Sequence, residues 1–294
     1  MYFTFVGLSA LHGGDIMWAY RKERILINMK KFAVVLAALV MSLTVFAGCG
    51  KEESVSLNGS TSMEKVVGVL SEKFQEDNKN IKVTYDPTGS GTGIEAVKNG
   101  TCDIGLSSRN LKSDETGLTA TVVAKDGIAI IVNSQNNVSD LSVDKIAAVF
   151  TGEIKNWKEL GGEDKEISCI GRENGSGTRD GFESVTGTSG KCVLAEEQTS
   201  TGGVISAVSN NPNAIGYASL SAVEGQNGIK KITVAGVECT EDTVLSGKYA
   251  VSRPFVLVTK DGQKLSDGAQ KFFDFATSSA ASELIRSAGA VPVK

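Results

Sequence analysis

Residues 55–85 read VSLNGSTSMEKVVGVLSEKFQEDNKNIKVTY, and they contain a complete strand–loop–helix–strand unit. The apolar alternation at 55–57 indicates a short strand, and the alternation at 81–85 indicates a second strand. Between them, apolar side chains recur every three or four residues over 62–77, which is the spacing of an amphipathic helix. This order of elements favours an α/β fold.

The same alternation of strands and helices continues along the rest of the chain. Further strands are predicted at 103–106, 127–132, 167–170, 214–218, 229–234 and 254–258. Further helices are predicted at 93–99, 143–150, 178–185 and 203–209, with one or two more within 264–288. The pattern indicates an α/β architecture with largely parallel sheets. No Pro- or Ser-rich linker interrupts it, so any two lobes would be joined by short strands.

Three loops share a composition rich in Gly, Ser and Thr, and each follows a predicted strand and opens a helix. They are NGSTS at 58–62, TGSGTG at 88–93 and ENGSGT at 173–178. A helix N-terminus presents free backbone N–H groups, and Ser and Thr add hydroxyl donors, so such loops suit an oxyanion. A single loop of this kind is better explained as an ordinary N-cap. Because three occur in one chain, the anion-binding interpretation is favoured.

None of these loops matches a nucleotide-binding pattern: GxxxxGK[ST] is absent, and no complete GxGxxG fingerprint has its acidic partner. Arg172, two residues before Asn174, is the first candidate for a charge that binds the oxyanion, because its fork can donate two parallel hydrogen bonds. The alternative is a surface salt bridge to Glu173 or Asp180. Arg109 is a second candidate.

Composition and charge exclude several classes of function. The 294-residue chain has a formal net charge of −4, whereas a general nucleic-acid binder usually has a basic excess. The only histidine, His12, lies in a part that we expect to be removed, so no Ser-His-Asp triad or His-ligated metal site is available. The sequence also lacks an acidic cluster with metal-ligand spacing. It therefore predicts a binding protein that is not an enzyme, with no catalytic residues, no metal, no cofactor and no nucleic-acid partner.

The N-terminal region is typical of a bacterial lipoprotein signal. Residues 32–47 are uncharged and follow Lys30 and Lys31, which is the pattern of a secretory signal and is short for a membrane span. The sequence FAGC at 46–49 resembles a lipobox, whose cysteine carries the lipid; the alternative is an ordinary signal with a chance cysteine. We expect an incorrectly assigned upstream extension at 1–28, the signal peptide at 29–48, and lipidated Cys49 with a short linker at 49–54.

Four further cysteines are spread along the chain, and none belongs to a C-x-x-C pair, so a zinc ribbon or redox motif is not expected. A location outside the cytoplasm would permit disulfides, and buried free thiols are equally compatible with the sequence. The pairing is therefore left open for Cys102, Cys169, Cys192 and Cys239.

Taken together in their order, the motifs resemble those of the phosphate-binding lipoproteins of bacterial ABC importers, the PstS family, in the form common in Gram-positive bacteria. The resemblance covers about residues 55–294. Its motifs are GSTSM at 59–63, GSG at 89–91, DIGLSSR at 103–109, IAAVFTGEIKNW at 146–157, RENGSGTR at 172–179, AIGY at 214–217 and SRPF at 252–255.

The resemblance implies a periplasmic-binding-protein-like (type II) fold, in which two lobes joined by hinge strands close on a ligand in the cleft between them. The first lobe would comprise 55–131 plus 252–294, and the second 132–251. The implied protein is a monomer, lipid-anchored to the outer face of the cell membrane, that delivers inorganic phosphate to the permease and ATPase of an ABC importer. A binding protein for sulfate, molybdate or tungstate is the alternative.

The family's phosphate contacts, carried over by the resemblance, fall on Thr61, Ser62, Ser90, Ser108, Arg172, Ser176, Gly177 and Thr178. Two positions depart from the family pattern, which has aspartates where this chain has Ser108 and Asn174. Near neutral pH phosphate keeps a proton that sulfate lacks, and a buried hydrogen-bond acceptor distinguishes the two anions by bonding that proton. Because Ser108 can donate as well as accept, the group that would select phosphate over sulfate is left open. Asn174 leaves Arg172 less neutralised unless another group pairs with it.

Overall fold

The strand–loop–helix–strand unit at the start of the domain is present in the structure, a computed structural model that describes residues 52–293. Strand β1 (Glu53–Gly59) pairs in parallel with β2 (Ile81–Asp86). Helix α1 (Glu64–Asp77) connects them after a 3-10 turn at Thr61–Met63, and its apolar side chains are buried at the helical spacing that the sequence predicts.

Most predictions for the N-terminal region lie outside the described residues. These are the upstream extension at 1–28, the signal peptide at 29–48 and the lipid on Cys49, while the linker at 49–54 is described only from residue 52. Among residues 52–293, no helix combines the length and the apolar character that crossing a membrane requires.

The other elements follow in alternation. The helices are α2 (Ser90–Asn99), α3 (Val143–Phe150), α4 (Gly177–Thr186), α5 (Thr201–Asn210), α6 (Leu220–Val223), α7 (Glu241–Leu245), α8 (Asp267–Ala276) and α9 (Ser282–Ser287). The strands are β3 (Ile104–Ser107), β4 (Leu118–Asn133), β5 (Asp140–Leu141), β6 (Ser168–Arg172), β7 (Glu196–Gln198), β8 (Ala214–Ser219), β9 (Ile229–Lys231), β10 (Thr233–Val234), β11 (Ser252–Lys260) and β12 (Val291–Pro292). Short 3-10 turns lie at Trp157–Leu160 and Ser279–Ala281.

The main sheet has the strand order β2-β1-β3-β11-β4-β8-β6-β7, and it is mixed. Pairing is parallel among β1, β2 and β3 and among β6, β7 and β8, but β11 and β4 run antiparallel to their neighbours in the order. The prediction of largely parallel sheets is therefore wrong in the middle of the sheet. Because β4 pairs with β11 along its first part and with β8 along its last part, it joins the two halves of the sheet.

Strand β4 is sixteen residues long, although the sequence predicts a strand only at 127–132. Its first half pairs with β11, and Ile128–Val132 pair with β8. Exposed and partly exposed residues interrupt the apolar pattern in that first half, so local periodicity marks only the fully buried end.

The apolar side chains form two large cores. The first core contains buried residues from 55–124 and 255–290, including Phe74 and Phe272, whose rings meet edge to face at 5.3 Å. The second core contains buried residues from 128–251 together with Val291. The change from one core to the other falls within β4 and just before β11. These two cores fit a two-lobed architecture, and lobe boundaries at 131 and 251 stay predictions.

Most predicted elements are present with shifted ends. Helix α3 has the predicted bounds, 143–150, whereas α2 begins at Ser90 rather than at 93. The predicted strand at 229–234 is two short strands, β9 and β10, in different sheets. The elements without a sequence signal, such as β5, β7 and β12, have two or three residues each, which is too short for a periodic pattern.

Candidate oxyanion-binding site

The first loop turns sharply after β1 because Gly59 has a φ of 141°, a conformation that favours glycine. A Cβ at Gly59 would lie 2.1 Å from the carbonyl oxygen of Leu106, so the end of β1 can approach β3 only without a side chain. Ser60 then donates its N–H to the Leu106 carbonyl at 2.9 Å. This turn buries the side chains of Thr61 and Ser62 at the start of the following helix.

The second loop lies directly against the first. Gly89, with a φ of 100°, donates its N–H to the Gly59 carbonyl at 2.8 Å. A Cβ at Gly93 would lie 2.4 Å from the carbonyl oxygen of Asn58, so the first turn of α2 packs on the end of β1. Ser90, the first residue of α2, is fully buried as a result.

Four buried serine hydroxyls meet between these loops and the end of β3, and we call Ser60, Ser62, Ser90 and Ser108 the hydroxyl cluster. Ser60 Oγ lies 2.8 Å from Ser62 Oγ and donates to Ser108 Oγ at 2.9 Å. Ser90 Oγ lies 3.2 Å from Ser108 Oγ and accepts the Ser108 N–H at 3.1 Å. In the first two loops no N-cap side chain bonds the helix backbone. An ordinary capping role therefore does not account for these serines.

The third loop reaches the hydroxyl cluster through glycine. A Cβ at Gly177 would lie 2.3 Å from Ser90 Oγ and 2.5 Å from Ser108 Oγ, so the backbone of α4 begins directly against these hydroxyls. Gly91 donates its N–H to the Gly175 carbonyl at 2.9 Å and joins the second loop to the third. Residues of both cores thus meet at this point.

The side chains of the third loop differ in their roles. Ser176 is an N-cap, as the capping alternative proposes, and its Oγ accepts the Arg179 N–H at 3.3 Å. Thr178 is buried in the first turn of α4. The predicted residues Ser176, Gly177 and Thr178 therefore lie at a buried helix N-terminus beside the hydroxyl cluster, where free N–H groups favour an anion.

Arg172 is almost completely buried at the end of β6 and approaches the first loop through a threonine. Its Nη1 donates to Thr201 Oγ1 at 3.2 Å, and Thr201 Oγ1 lies 3.1 Å from Thr61 Oγ1. Its Nε and Nη2 donate to the two carboxylate oxygens of Glu173, both at 2.9 Å. The salt bridge to Glu173 considered as the alternative is thus present, between a buried arginine and a partly buried carboxylate, and Glu173 supplies the neutralising charge that Asn174 lacks.

Arg109 does not join the hydroxyl cluster. It makes a two-pronged ion pair with Glu115, with both N–O distances 2.7 Å, and its Nε lies 2.7 Å from Asp180 Oδ2. Lys112 also reaches Asp180, at 2.9 Å. Because Glu115 accepts from both of its terminal nitrogens and Asp180 lies beside its Nε, Arg109 connects two elements rather than offering a free charge to a ligand.

One charged residue at the cluster was not predicted as a site residue. Arg253, in β11, donates from Nη1 to Ser108 Oγ at 3.3 Å, and from Nε and Nη2 to Asp126 Oδ2 at 3.1 and 2.9 Å. Burial lowers the pKa of Arg253, the Asp126 charge opposes this, and the nearby Arg172 charge lowers it further. Burial also raises the pKa of Asp126 against the effect of Arg253. The SRPF motif at 252–255 was the only sequence signal for this arginine.

Within residues 52–293, no group of three or more His, Cys, Asp and Glu side chains could hold a metal ion. All four cysteines of this part of the chain are free thiols. Burial raises the pKa of Cys169 and of Cys239 to about 12, so these two thiols are unreactive at neutral pH.

A cleft of about 320 Å³ gives access to one side of the site. Its lining includes Thr61, Ser62 and Thr201 together with the charged residues Lys65 and Glu224.

Comparison with known proteins agrees with this fold. The model of the PBP superfamily domain matches residues 47–280. The phosphate-binding protein PstS of Bacillus subtilis is 31% identical over 255 residues, which are 76% of this chain and 82% of that protein. The sequence and the fold thus place the chain in the periplasmic-binding-protein class.

Two solved structures are similar over nearly their whole length. One, from Clostridium perfringens, is a substrate-binding protein assigned to a phosphate ABC transporter, with bound phosphate; it has a TM-score of 0.79 and 37% identity, and covers 82% of this chain and 100% of that one. An ABC-type phosphate transport receptor from Vibrio cholerae has a TM-score of 0.66 and 31% identity, covering 81% and 99%. The chain belongs to the PBP superfamily and, within it, to the PstS family of phosphate-binding proteins. The predicted family and fold class are confirmed.

Proposed function

We propose that this protein captures inorganic phosphate outside the cytoplasm and delivers it to the permease and ATPase of an ABC importer. The hydroxyl cluster is the observation that carries the proposal. Four buried hydroxyls are gathered between two helix N-termini and the end of β3, where donors suit an oxyanion, and in the first two loops no such side chain serves as a helix cap. The relatives named as phosphate-binding proteins support phosphate as that oxyanion.

The residues that bind phosphate in this proposal come from both cores. They are Thr61, Ser62, Ser90, Ser108, Arg172, Ser176, Gly177 and Thr178. Three contacts between the cores support a binding mode in which two lobes close on the ligand: Gly91 with Gly175, Thr61 with Thr201, and Gly177 with the hydroxyl cluster. A ligand held by both lobes stabilises the closed form.

The proposed role is binding and release without catalysis. Hydroxyls, amides and guanidinium groups hold an oxyanion, but breaking a phosphate ester needs an activated nucleophile or a metal. The chain has one histidine, His12, and it precedes the domain. The relatives are named as binding and transport proteins.

The proposed location is the outer face of the cell membrane. The uncharged run at 32–47 and the FAGC sequence at 46–49 support a signal peptide and a lipid on Cys49. A single anchor of this kind tethers a protein to the surface without spanning the bilayer. We infer that the tethered protein works as a monomer, since one chain supplies every residue of the proposed site.

Calorimetric titration of the purified, phosphate-free protein with phosphate at pH 7 tests the proposal, with sulfate as the competing anion. We expect one phosphate per chain and weaker binding of sulfate. Binding of sulfate as tight as that of phosphate would overturn the ligand assignment. If the folded protein binds neither anion, the three loops are ordinary turns and helix caps and the proposed function is wrong. Radiolabelled phosphate uptake by cells with and without the gene tests the transport step.

A further inference from the structure

Arg253 places a second buried positive charge beside the hydroxyl cluster. Its side chain is 2% exposed, and its Nη1 lies 3.3 Å from Ser108 Oγ. The aliphatic part of the side chain lies under α4, where a Cβ at Gly181 would be 3.4 Å from Arg253 Cδ. The guanidinium group is thus held between β11 and the helix that begins at the third loop.

The hydrogen bonds of Arg253 leave part of its guanidinium group available. Of its five N–H groups, Nε–H and one on Nη2 donate to Asp126, and one on Nη1 donates to Ser108. The other N–H on each of Nη1 and Nη2 has no acceptor among residues 52–293. A buried charged donor without an acceptor is costly, so a ligand oxygen that accepts from it gains strength.

Asp126 has no such free capacity. Its Oδ2 accepts from Arg253, and its Oδ1 accepts from Ser219 Oγ at 2.7 Å. The carboxylate therefore fixes the orientation of Arg253 and balances its charge. Arg172 is arranged in the same way with Glu173, and the two arginines repel each other closely enough to affect the pKa of Arg253. An anion between two such guanidinium groups relieves this repulsion.

We propose that Arg253 is a second cationic ligand of the bound oxyanion, contributed by β11, and that Asp126 is the positioning residue that holds it. This inference rests on the proposed function. The site then contains two arginines, each paired with its own carboxylate. The two guanidinium groups would bind a doubly ionised tetrahedral anion from two sides. It also gives β11 a direct contact with the ligand.

Phosphate titration of paired variants tests the role of Arg253. The double variant Arg253→Gln/Asp126→Asn removes both charges, and we expect its phosphate Kd to rise about 10–100-fold, the usual effect of one charge-assisted hydrogen bond. Asp126→Asn alone keeps a side-chain oxygen that can hold Arg253 in place but removes the opposing negative charge, so we expect phosphate binding as tight as in the wild type or tighter. If Arg253 and Asp126 have only a structural role, phosphate binding should be weaker than in the wild type for both the double variant and Asp126→Asn. That result would overturn the proposal.

Two further measurements keep this test decisive. If the double variant does not fold, Arg253→Lys is measured instead, because lysine keeps the positive charge but lacks the paired N–H donors of a guanidinium group. A phosphate Kd of this variant within about threefold of the wild-type value would then overturn the proposal. The phosphate-induced rise in Tm should be smaller than in the wild type for Arg253→Lys and at least equal to it for Asp126→Asn. A wild type that does not bind phosphate would reject the proposed function itself, whereas a binding wild type with an unaffected double variant would reject only the role of Arg253.

Discussion

The Ser108 hydroxyl accepts hydrogen bonds from Ser60 Oγ and from Arg253 Nη1, so both of its lone pairs are used. Its own proton can then be donated, to Ser90 Oγ at 3.2 Å or to a ligand. In this arrangement Ser108 cannot replace an aspartate as the acceptor of the phosphate proton. The site therefore recognises its ligand through positive charge and hydrogen-bond donors more than through a hydrogen-bond acceptor.

We expect discrimination against sulfate to be moderate for that reason. Sites built to bond a ligand hydroxyl reject an analogue that lacks it by about 10⁴–10⁵, and we expect the ratio of the sulfate Kd to the phosphate Kd to fall below that range. Competition calorimetry at pH 7 measures the ratio. A ratio of about 10⁵ would show that another acceptor, such as a backbone carbonyl, bonds the phosphate proton.

Arg172→Ala should weaken phosphate binding more than Ser90→Ala does. Removing Arg172 deletes a charged donor and leaves the Glu173 carboxylate unpaired beside the anion, so we expect a loss of about 100-fold or more. Ser90→Ala removes one neutral hydroxyl, for which about 5–10-fold is typical. Titration of both variants with phosphate measures the difference. Equal losses would mean that Arg172 only supports the loop structure.

Gly177→Ala tests the close approach of the third loop to the hydroxyl cluster. The new Cβ would lie within 2.5 Å of two serine oxygens, so the loop must move away, and we expect phosphate affinity to fall at least about tenfold. Gly68→Ala is the matched control, because a Cβ there meets nothing within 4 Å on the exposed face of α1. The control should keep its affinity and gain about 0.5–1 kcal/mol in helix stability. Unchanged affinity in Gly177→Ala would show that the loop does not contact the ligand.

Between elements, Asp180 in the first turn of α4 joins the parts of the chain that carry the two cores. It pairs with Arg109 and Lys112, which follow β3 in the first core, while α4 packs on the second core through Phe182. Arg109 is also fixed by Glu115. This cluster of charges therefore favours the arrangement in which the three loops meet.

Asp180→Asn should weaken phosphate binding without touching the anion. Loss of the charge removes two ion-pair partners and shifts the equilibrium away from the closed form, so we expect a Kd about 3–10-fold higher. Small-angle scattering of the ligand-free protein should show a larger radius of gyration. Asp164→Asn breaks an exposed pair with Lys158 and is the control with no expected effect. If both variants behave like the wild type, the Asp180 pairs have no part in closure.

Across the whole molecule, acid should destabilise the fold partly through Glu115. Burial alone would raise the pKa of Glu115, but hydrogen bonds from Arg109 and from the Lys112 N–H outweigh it, so the pKa lies below its ordinary value. The ionised form thus stabilises the folded state above the unfolded pKa, about 4.3, and this contribution is lost as the pH falls through the lower folded value.

In Glu115→Gln the free energy of unfolding should therefore decrease less steeply than in the wild type as the pH falls. We expect a lower free energy of unfolding than in the wild type at pH 7, and a smaller difference between the two proteins as the pH falls below about 4. Urea unfolding between pH 3 and pH 7 measures this. Glu72→Gln, on the exposed side of α1, is the control. A constant difference between Glu115→Gln and the wild type at all pH values would contradict the assignment.

Much of the fold can be predicted from the sequence because its elements have clear local periodicity. The three loops of the site can also be predicted, because a run of Gly, Ser and Thr directly after a strand is a recognisable pattern. The mixed direction of the sheet was not predictable from such patterns, since it depends on which distant strands pair. Arg253 and Asp126 are 127 residues apart in the chain, so no spacing relates them. Thr201, which links Arg172 to the first loop, also enters the site only through tertiary packing.

The position of β11 in the sheet has a consequence for how the chain is made. This strand lies between β3 and β4, yet in the sequence it follows every residue of the second core except Val291. During synthesis β3, all of whose residues are buried in the finished protein, has no partner on that side until residues 252–260 emerge. The first core therefore assembles late, through contacts of high sequence separation, which form slowly. A chain with this layout cannot complete its first core until almost all of its residues have been made.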